Sequence, residues 1–284
     1  FSPKNTDNIN LNNFTISLYV CALLIMIFMV FDDFYTIKPI FRLFFQLFIS
    51  GLMIAMSGEY LSNIGNLFGT GDINLGVFAI PFTMICVVGI MNAFNMIDGL
   101  NGICASLALI PIAYVTYLGN FSYGLLIPIG AILGFLAYNL GYLGKRRRVF
   151  LGDSGSNMLG FAVAFICIEY SQNINHLSYI NPVTALWLVF IPLVDCVAVM
   201  TVRVINGITP FTPGRDHLHH RLLNIGIKPK MILIIFILLS VSLSFIGFTI
   251  ESFYPNKEYI SFYVFCVFSI FYFLNSNNIV KKNV

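Results

Sequence analysis

Apolar runs long enough to cross a hydrocarbon core, roughly 17–25 residues each, recur about nine times along this chain. They lie near 14–31, 40–57, 77–95, 100–118, 122–143, 156–170, 183–202, 231–250 and 259–275. The pattern predicts an all-α fold, a polytopic membrane helical bundle, as one domain over residues 1–284. The run at 156–170 is the shortest and reaches spanning length only if it extends into the Gly-Ser stretch before it. Residues 1–13 are polar and Asn-rich, a tether without evident chemistry.

Composition agrees with the pattern. Hydrophobic residues make up 58% of the chain and mean hydropathy is +0.87, against an apolar share of ~45–50% in soluble domains. Alternating sides from a cytoplasmic 32–42 loop puts 13 of the 15 basic residues inside and only Lys4 and Lys257 outside. That asymmetry predicts an external N-terminus and an internal C-terminus. The net charge of +3 follows from this bias and points to no acidic partner or nucleic acid. The six cysteines all fall in apolar spans without CxxC spacing, so they read as small buried hydrophobes.

Polar chemistry is confined to four internal stretches and one span. Val149-Phe150-Leu151-Gly152-Asp153-Ser154-Gly155-Ser156 follows the cations Lys145, Arg146, Arg147 and Arg148. An Asp between glycines beside cations can hold a hard divalent ion through oxygen while the cations meet phosphate; a basic cap on a membrane helix is the plain alternative. Asp32 and Asp33 end the first span, near Lys38 and Arg42. Paired carboxylates raise one pKa and suit a proton acceptor, or else they form an interfacial turn matched by those cations.

Asn92, Asn95 and Asp98 recur at intervals of three, so on a helix they share a face. Gly99 and Gly102 then break that helix and permit close approach of a ligand, although helix capping would use the same residue types. The 203–230 loop carries Arg215, His217, His219 and His220, three of the chain's four histidines. It lacks the HExxH spacing of a zinc site and is better suited to donating hydrogen bonds to phosphate. Asp195, inside the seventh span, is either functional or a structural partner within the bundle. The last two spans read as scaffold.

Taken together and in order, these stretches resemble the polyprenyl-phosphate N-acetylhexosamine-1-phosphate transferases (glycosyltransferase family 4), in their bacterial undecaprenyl-phosphate branch. Pro182-Val183-Thr184-Ala185-Leu186-Trp187 and Ile191-Pro192-Leu193-Val194-Asp195 extend the resemblance over nearly the whole chain. It implies transfer of N-acetylglucosamine 1-phosphate from UDP-GlcNAc to undecaprenyl phosphate, with release of UMP. The product would be the first lipid-linked intermediate of a surface polysaccharide such as O-antigen lipopolysaccharide. It further implies Mg²⁺, with Mn²⁺ as a substitute, and a site on the cytoplasmic face of a bacterial inner membrane. A homodimer is among the assemblies the family allows.

Carried over by motif, Asp153 matches the metal-ligating Asp and Asn95 a second metal position. Asp32 and Asp33 match the pair that activates lipid phosphate or organises the metal; Asp98, by its place on the shared face with Asn92 and Asn95, is a further catalytic candidate. Phe150 matches the aromatic that stacks on uracil, and Gly99, Leu100 and Asn101 its pocket. Arg42, Arg215, His217, His219 and His220 match the diphosphate-binding positions.

Two departures stand out. Asn101 replaces an Asp usual in bacterial members, a donor/acceptor change in nucleotide binding. The family's two helices before Asp32-Asp33, of a usual 10–11, have no counterpart, so the chain reads as lacking a front segment, and its activity is a separate question from its fold. An in-class alternative loads phospho-MurNAc-pentapeptide, but that branch carries consecutive histidines where this chain has Arg215-Asp216-His217-Leu218-His219-His220. An inactive homologue or a non-catalytic membrane protein is the alternative of another class. A transporter would show internal repeats, and none is visible.

Overall fold

The structure, a computed structural model, describes residues 13–35, 37–118, 123–172, 180–210 and 214–280, with side chains for all of these except Asp33, Tyr123 and residues 276–280. Lys4, His176, Phe211 to Pro213, Lys281, Lys282 and the Asp33 side chain therefore lie outside the described residues.

The described residues form a helical bundle without a named strand. Its helices are α1 (Asn13–Tyr35), α2 (Pro39–Ser57), α3 (Ala79–Ile97), α4 (Ile103–Leu118), α5 (Tyr123–Asn139), α6 (Gly152–Gln172), α7 (Pro182–Leu188), α8 (Phe190–Ile205), α9 (Leu218–Asn224), α10 (Pro229–Phe253) and α11 (Glu258–Val280). Five stretches, covering α1, α2, α3, α10 and α11, are long and apolar enough to cross a membrane, and α7 with α8 makes a sixth if counted as one. α4 and α5 are shorter apolar helices. The chain is a multi-pass membrane protein.

Two features refine the expected spans. The seventh is broken at Val189, where α7 and α8 meet at 81°. Pro192, three residues on, has no amide to offer the Leu188 carbonyl, and its ring crowds that carbonyl, so a continuous helix is disfavoured there. The sixth is not short: α6 begins at Gly152, so the Gly-Asp-Ser-Gly stretch is its first helical turn and supplies the missing length.

α6 is the centre of the bundle. From Ser156 to Gln172 nearly every side chain is buried, on all faces, because α1, α3, α4 and α7 surround it. A helix enclosed by protein rather than lipid tolerates Asn157, Glu169 and Gln172, provided partners are supplied. Gly160 lets α3 come close: a β-carbon there would fall 2.8 Å from Met91 Cα and 3.1 Å from the Ile90 carbonyl oxygen.

Alternation of helix direction sorts the polar loops to two ends. At one end Gln172 Oε1 accepts from Ser62 N at 3.0 Å, Asn66 N donates to Glu258 Oε2 at 2.8 Å, and Thr184 Oγ1 donates to Glu251. At the other end gather the ends of α1, α3, α5 and α8 and the starts of α2, α6 and α9. Every sequence-predicted site residue lies in this second layer.

Candidate active site

The site begins at the short link between α1 and α2. Pro39 opens α2 and Lys38 before it is extended (φ −59°, ψ 141°), so the chain reverses within a few residues of Asp32. That carboxylate, only 1% exposed, accepts from Ile37 N at 2.8 Å through Oδ1. Its Oδ2 lies 2.7 Å from Arg42 Nε. Arg42 Nη1 in turn lies 3.2 Å from Asp153 Oδ2. One guanidinium thus links the end of α1 to the first turn of α6, where unsatisfied backbone N–H groups also favour negative charge.

Beneath this cluster runs a ladder of amides. Asn92 Nδ2 donates to Gln46 Oε1 at 3.0 Å, Gln46 Nε2 donates to Asn157 Oδ1 at 2.8 Å, and Asn157 Nδ2 donates to the Asp153 carbonyl at 2.8 Å. Asn95 Nδ2 donates to Ser156 Oγ at 3.0 Å, one turn nearer the site. Two of the three residues expected on one face of α3 therefore serve interhelical contacts. The third, Asp98, follows the last residue of α3. Burial, reinforced by the negative charge of Asp153, raises its carboxyl from 3.8 to about 7.

Gly99 has the closest approach in this layer. A β-carbon on it would fall 2.0 Å from His219 Nε2, so the absence of a side chain there lets the histidine-rich loop dock on the end of α3. His219 is 1% exposed. Burial, then the neighbouring His220 and His217, lowers it to about 4, with Asp195 opposing, so it is neutral at neutral pH.

The loop is held from both sides. Arg203, at the end of α8, grips Asp216 through two bonds, Nε to Oδ2 and Nη2 to Oδ1, each 2.9 Å, and donates to the Pro210 carbonyl at 2.9 Å. Asp216 lies below its ordinary range: Arg203 outweighs the effect of burial. Arg221 Nε donates to the Asp216 carbonyl at 2.5 Å. His217 Nδ1 pairs with Asp195 Oδ2 at 2.8 Å.

The structure therefore brings together Asp32, Arg42 and Asp153; Asn95 joins them through Ser156, and Gly99 meets His219. Leu100 and Asn101 are half-buried beside them. His220 stacks obliquely on His219, ring centroids 4.1 Å apart. Phe150 is 81% exposed and Arg215 is exposed, neither packed against the others. Lys145 to Arg148 are exposed too, and the stretch after them is pinned by Asn139 Nδ2 to the Val149 carbonyl at 2.7 Å.

Several contributors were not among the predicted site residues: Gln46, Asn157, Arg203, Asp216 and Tyr272. A polar residue within an apolar run, as Gln46 is, is a usable signal; the others have meaning only through their partners. Beyond the site, an apolar cavity of about 370 Å³ lies between α3, α6 and the broken α7–α8 pair, lined by Val87, Ile90, Ala164, Ile168, Val189 and Leu193 among others.

As a metal site, the cluster offers hard donors. No group of three or more His, Cys, Asp or Glu side chains able to hold an ion occurs among the described residues. Asp153 is half exposed, and Asn95 spends its NH₂ on Ser156, leaving Oδ1. One or two oxygen donors, without a sulfur or imidazole ligand set, suits Mg²⁺, which keeps waters and takes phosphate oxygens, rather than zinc.

Comparison with known proteins shows the family. The sequence model of glycosyl transferase family 4 matches residues 15–171. The chain is similar to the undecaprenyl-phosphate alpha-N-acetylglucosaminyl 1-phosphate transferase of Escherichia coli O157:H7, at 34% identity over 263 residues, covering 90% of this chain and 71% of that protein. It is similar to the protein of the same name from Yersinia pestis, at 35% over 233 residues, 80% of this chain and 63% of the relative. A third of that name, from Haemophilus influenzae, is 32% identical over 268 residues, 90% and 73% respectively.

Proposed function

The chain belongs to glycosyl transferase family 4, and from that premise we propose that it transfers N-acetylglucosamine 1-phosphate from UDP-GlcNAc to undecaprenyl phosphate. The observation that carries this reading is the contact of Arg42 with both Asp32 and Asp153, in the same layer where His219 docks against Gly99. Acidic metal ligands and phosphate-binding cations then face one substrate. The thirteen-to-two distribution of basic residues supports placing this layer on the cytoplasmic face of a bacterial inner membrane.

The reaction forms a bond from a lipid phosphate oxygen to the β-phosphorus of the UDP-sugar and breaks the bridge to the α-phosphate, so UMP leaves with the electron pair. Little covalent chemistry falls to the protein; positioning and charge stabilisation dominate. Arg42 and Arg215 neutralise diphosphate oxygens, and His217 and His220 donate to them. His219, neutral and buried, fixes the end of α3. Phe150, 81% exposed, offers a free ring face for uracil, with Gly99, Leu100 and Asn101 at the edge of the base.

The Asp32–Asp33 pair orders the approach of the lipid phosphate, and Asp98 supplies a further carboxylate of adjustable charge. Asp153 and Asn95 would hold Mg²⁺, which supplies Lewis-acid polarisation of the diphosphate. The apolar cavity beside the broken helix has the character needed for part of a polyprenyl chain. UDP-GlcNAc labelled in the sugar, supplied with undecaprenyl phosphate and Mg²⁺ to membranes carrying the chain, tests the proposal. Label should pass into extractable lipid, stop on chelation, and fall at least ~100-fold in Asp153→Asn; full transfer by that variant would sink the assignment.

A further inference from the structure

We infer that Asp195 and Tyr272 are positioning residues for the reaction: they act through His217, holding the histidine-rich loop against the site from helices α8 and α11. This rests on the functional reading above. Asp195 is 1% exposed and divides its two oxygens among three donors. Oδ2 meets His217 Nδ1 at 2.8 Å; Oδ1 accepts from Leu218 N at 3.0 Å and from the Tyr272 hydroxyl.

A buried carboxylate so far from water is sustained only if its lone pairs are satisfied, and here two of its partners belong to the loop. The ring bond commits Nδ1 to Asp195 and so fixes the direction of the Nε2 edge, which donates to a phosphate oxygen when both ring nitrogens carry protons. The backbone bond supplies an acceptor to the first N–H of α9, a helix of 7 residues, too short to hold itself in water. It carries both His219 and His220. Tyr272 comes from α11, which the sequence reading treated as scaffold; its hydroxyl occupies Oδ1 and limits the carboxylate to one orientation.

Purely structural residues would melt the fold or leave substrate handling alone; positioning residues should shift substrate binding. Tyr272→Phe, which keeps the ring and leaves Leu218 N on the same oxygen, should raise KM for UDP-GlcNAc roughly tenfold, with a smaller change in kcat and a melting temperature lowered by no more than a few degrees. If Asp195 works through His217, then Asp195→Asn combined with His217→Asn should be no worse than His217→Asn alone. Amide hydrogen exchange over Leu218 to Arg221 should also speed up in Tyr272→Phe.

Two results overturn the proposal: effects of Asp195→Asn and His217→Asn that multiply, or loop exchange in Tyr272→Phe matching the wild type. If the wild-type chain transfers no sugar phosphate, the functional assignment falls instead. Exchange alone then decides whether the anchor exists, because it needs no substrate.

Discussion

Arg42 Nη1 lies 3.2 Å from Asp153 Oδ2, joining residues 111 positions apart. The same guanidinium meets Asp32, which is sealed from solvent, so one side chain sets the spacing between two carboxylates that would otherwise repel. Removing it leaves a buried charge without its counter-ion.

Arg42→Ala should therefore lower stability by about 1–3 kcal/mol, less than for a fully enclosed pair because Arg42 is 34% exposed. Sugar-phosphate transfer should fall at least ~100-fold. Arg42→Lys, which keeps the charge but not the fork, should sit between alanine and the parent. Thermal unfolding in detergent and UMP release measure the two effects; a fully active alanine variant would remove Arg42 from the site.

Gly160→Ala tests the packing beneath the site. Its β-carbon would meet the Met91 Cα at 2.8 Å and the Ile90 carbonyl oxygen at 3.1 Å, which are backbone atoms that cannot swing aside. α3 and α6 must separate, and overpacking of this kind costs roughly 1–3 kcal/mol. The melting temperature should drop and activity with it, since Asn95 to Ser156 crosses the same interface. An unchanged melting temperature would mean that the helices are not held this closely.

Gln46→Leu should be harmful despite being more apolar. It strands the Asn157 carbonyl oxygen and an Asn92 donor in a buried setting, at about 1–3 kcal/mol for each unsatisfied group. Replacing all three, Gln46→Leu, Asn92→Leu and Asn157→Leu, should recover part of the stability but not the activity, because Asp153 loses its support. Melting curves of the single and triple variants decide; a triple variant no more stable than the single would rule out the ladder.

The acid side of the stability profile should depend on His219. Its folded pKa, about 4, lies below the ordinary 6.5, chiefly through burial. The unfolded chain thus takes up this proton first: the contribution to stability is whole above pH 6.5 and is lost as pH falls toward 4. His219→Phe should flatten the decline of melting temperature between those limits relative to the parent. Parallel curves would show that the histidine does not resist protonation.

Much of the candidate site was legible because its residues break an otherwise apolar pattern. Asp32, Asp153, Asp98 and the His219 loop each stand out in a chain with 10% charged residues, and membrane topology alone places them in one layer. Gln46, Arg203 and Tyr272 were passed over because their roles depend on Asn157, Asp216 and Asp195 on other elements; only Tyr272 lies in a span that reads as scaffold. The break at Val189 was missed because an apolar run is counted by length, and hydropathy does not register a change of axis.

Span positions and the identity of the acidic and basic stretches follow from the sequence by itself, because transfer into lipid depends on local apolar length and charged residues stand out against it. Only the tertiary structure decided that Arg42 serves two aspartates, that α6 is wrapped by protein, and that Gly99 receives His219. Those are contacts between segments distant in the chain, and a buried polar group takes as partner whatever group the packing of helices brings within hydrogen-bond reach.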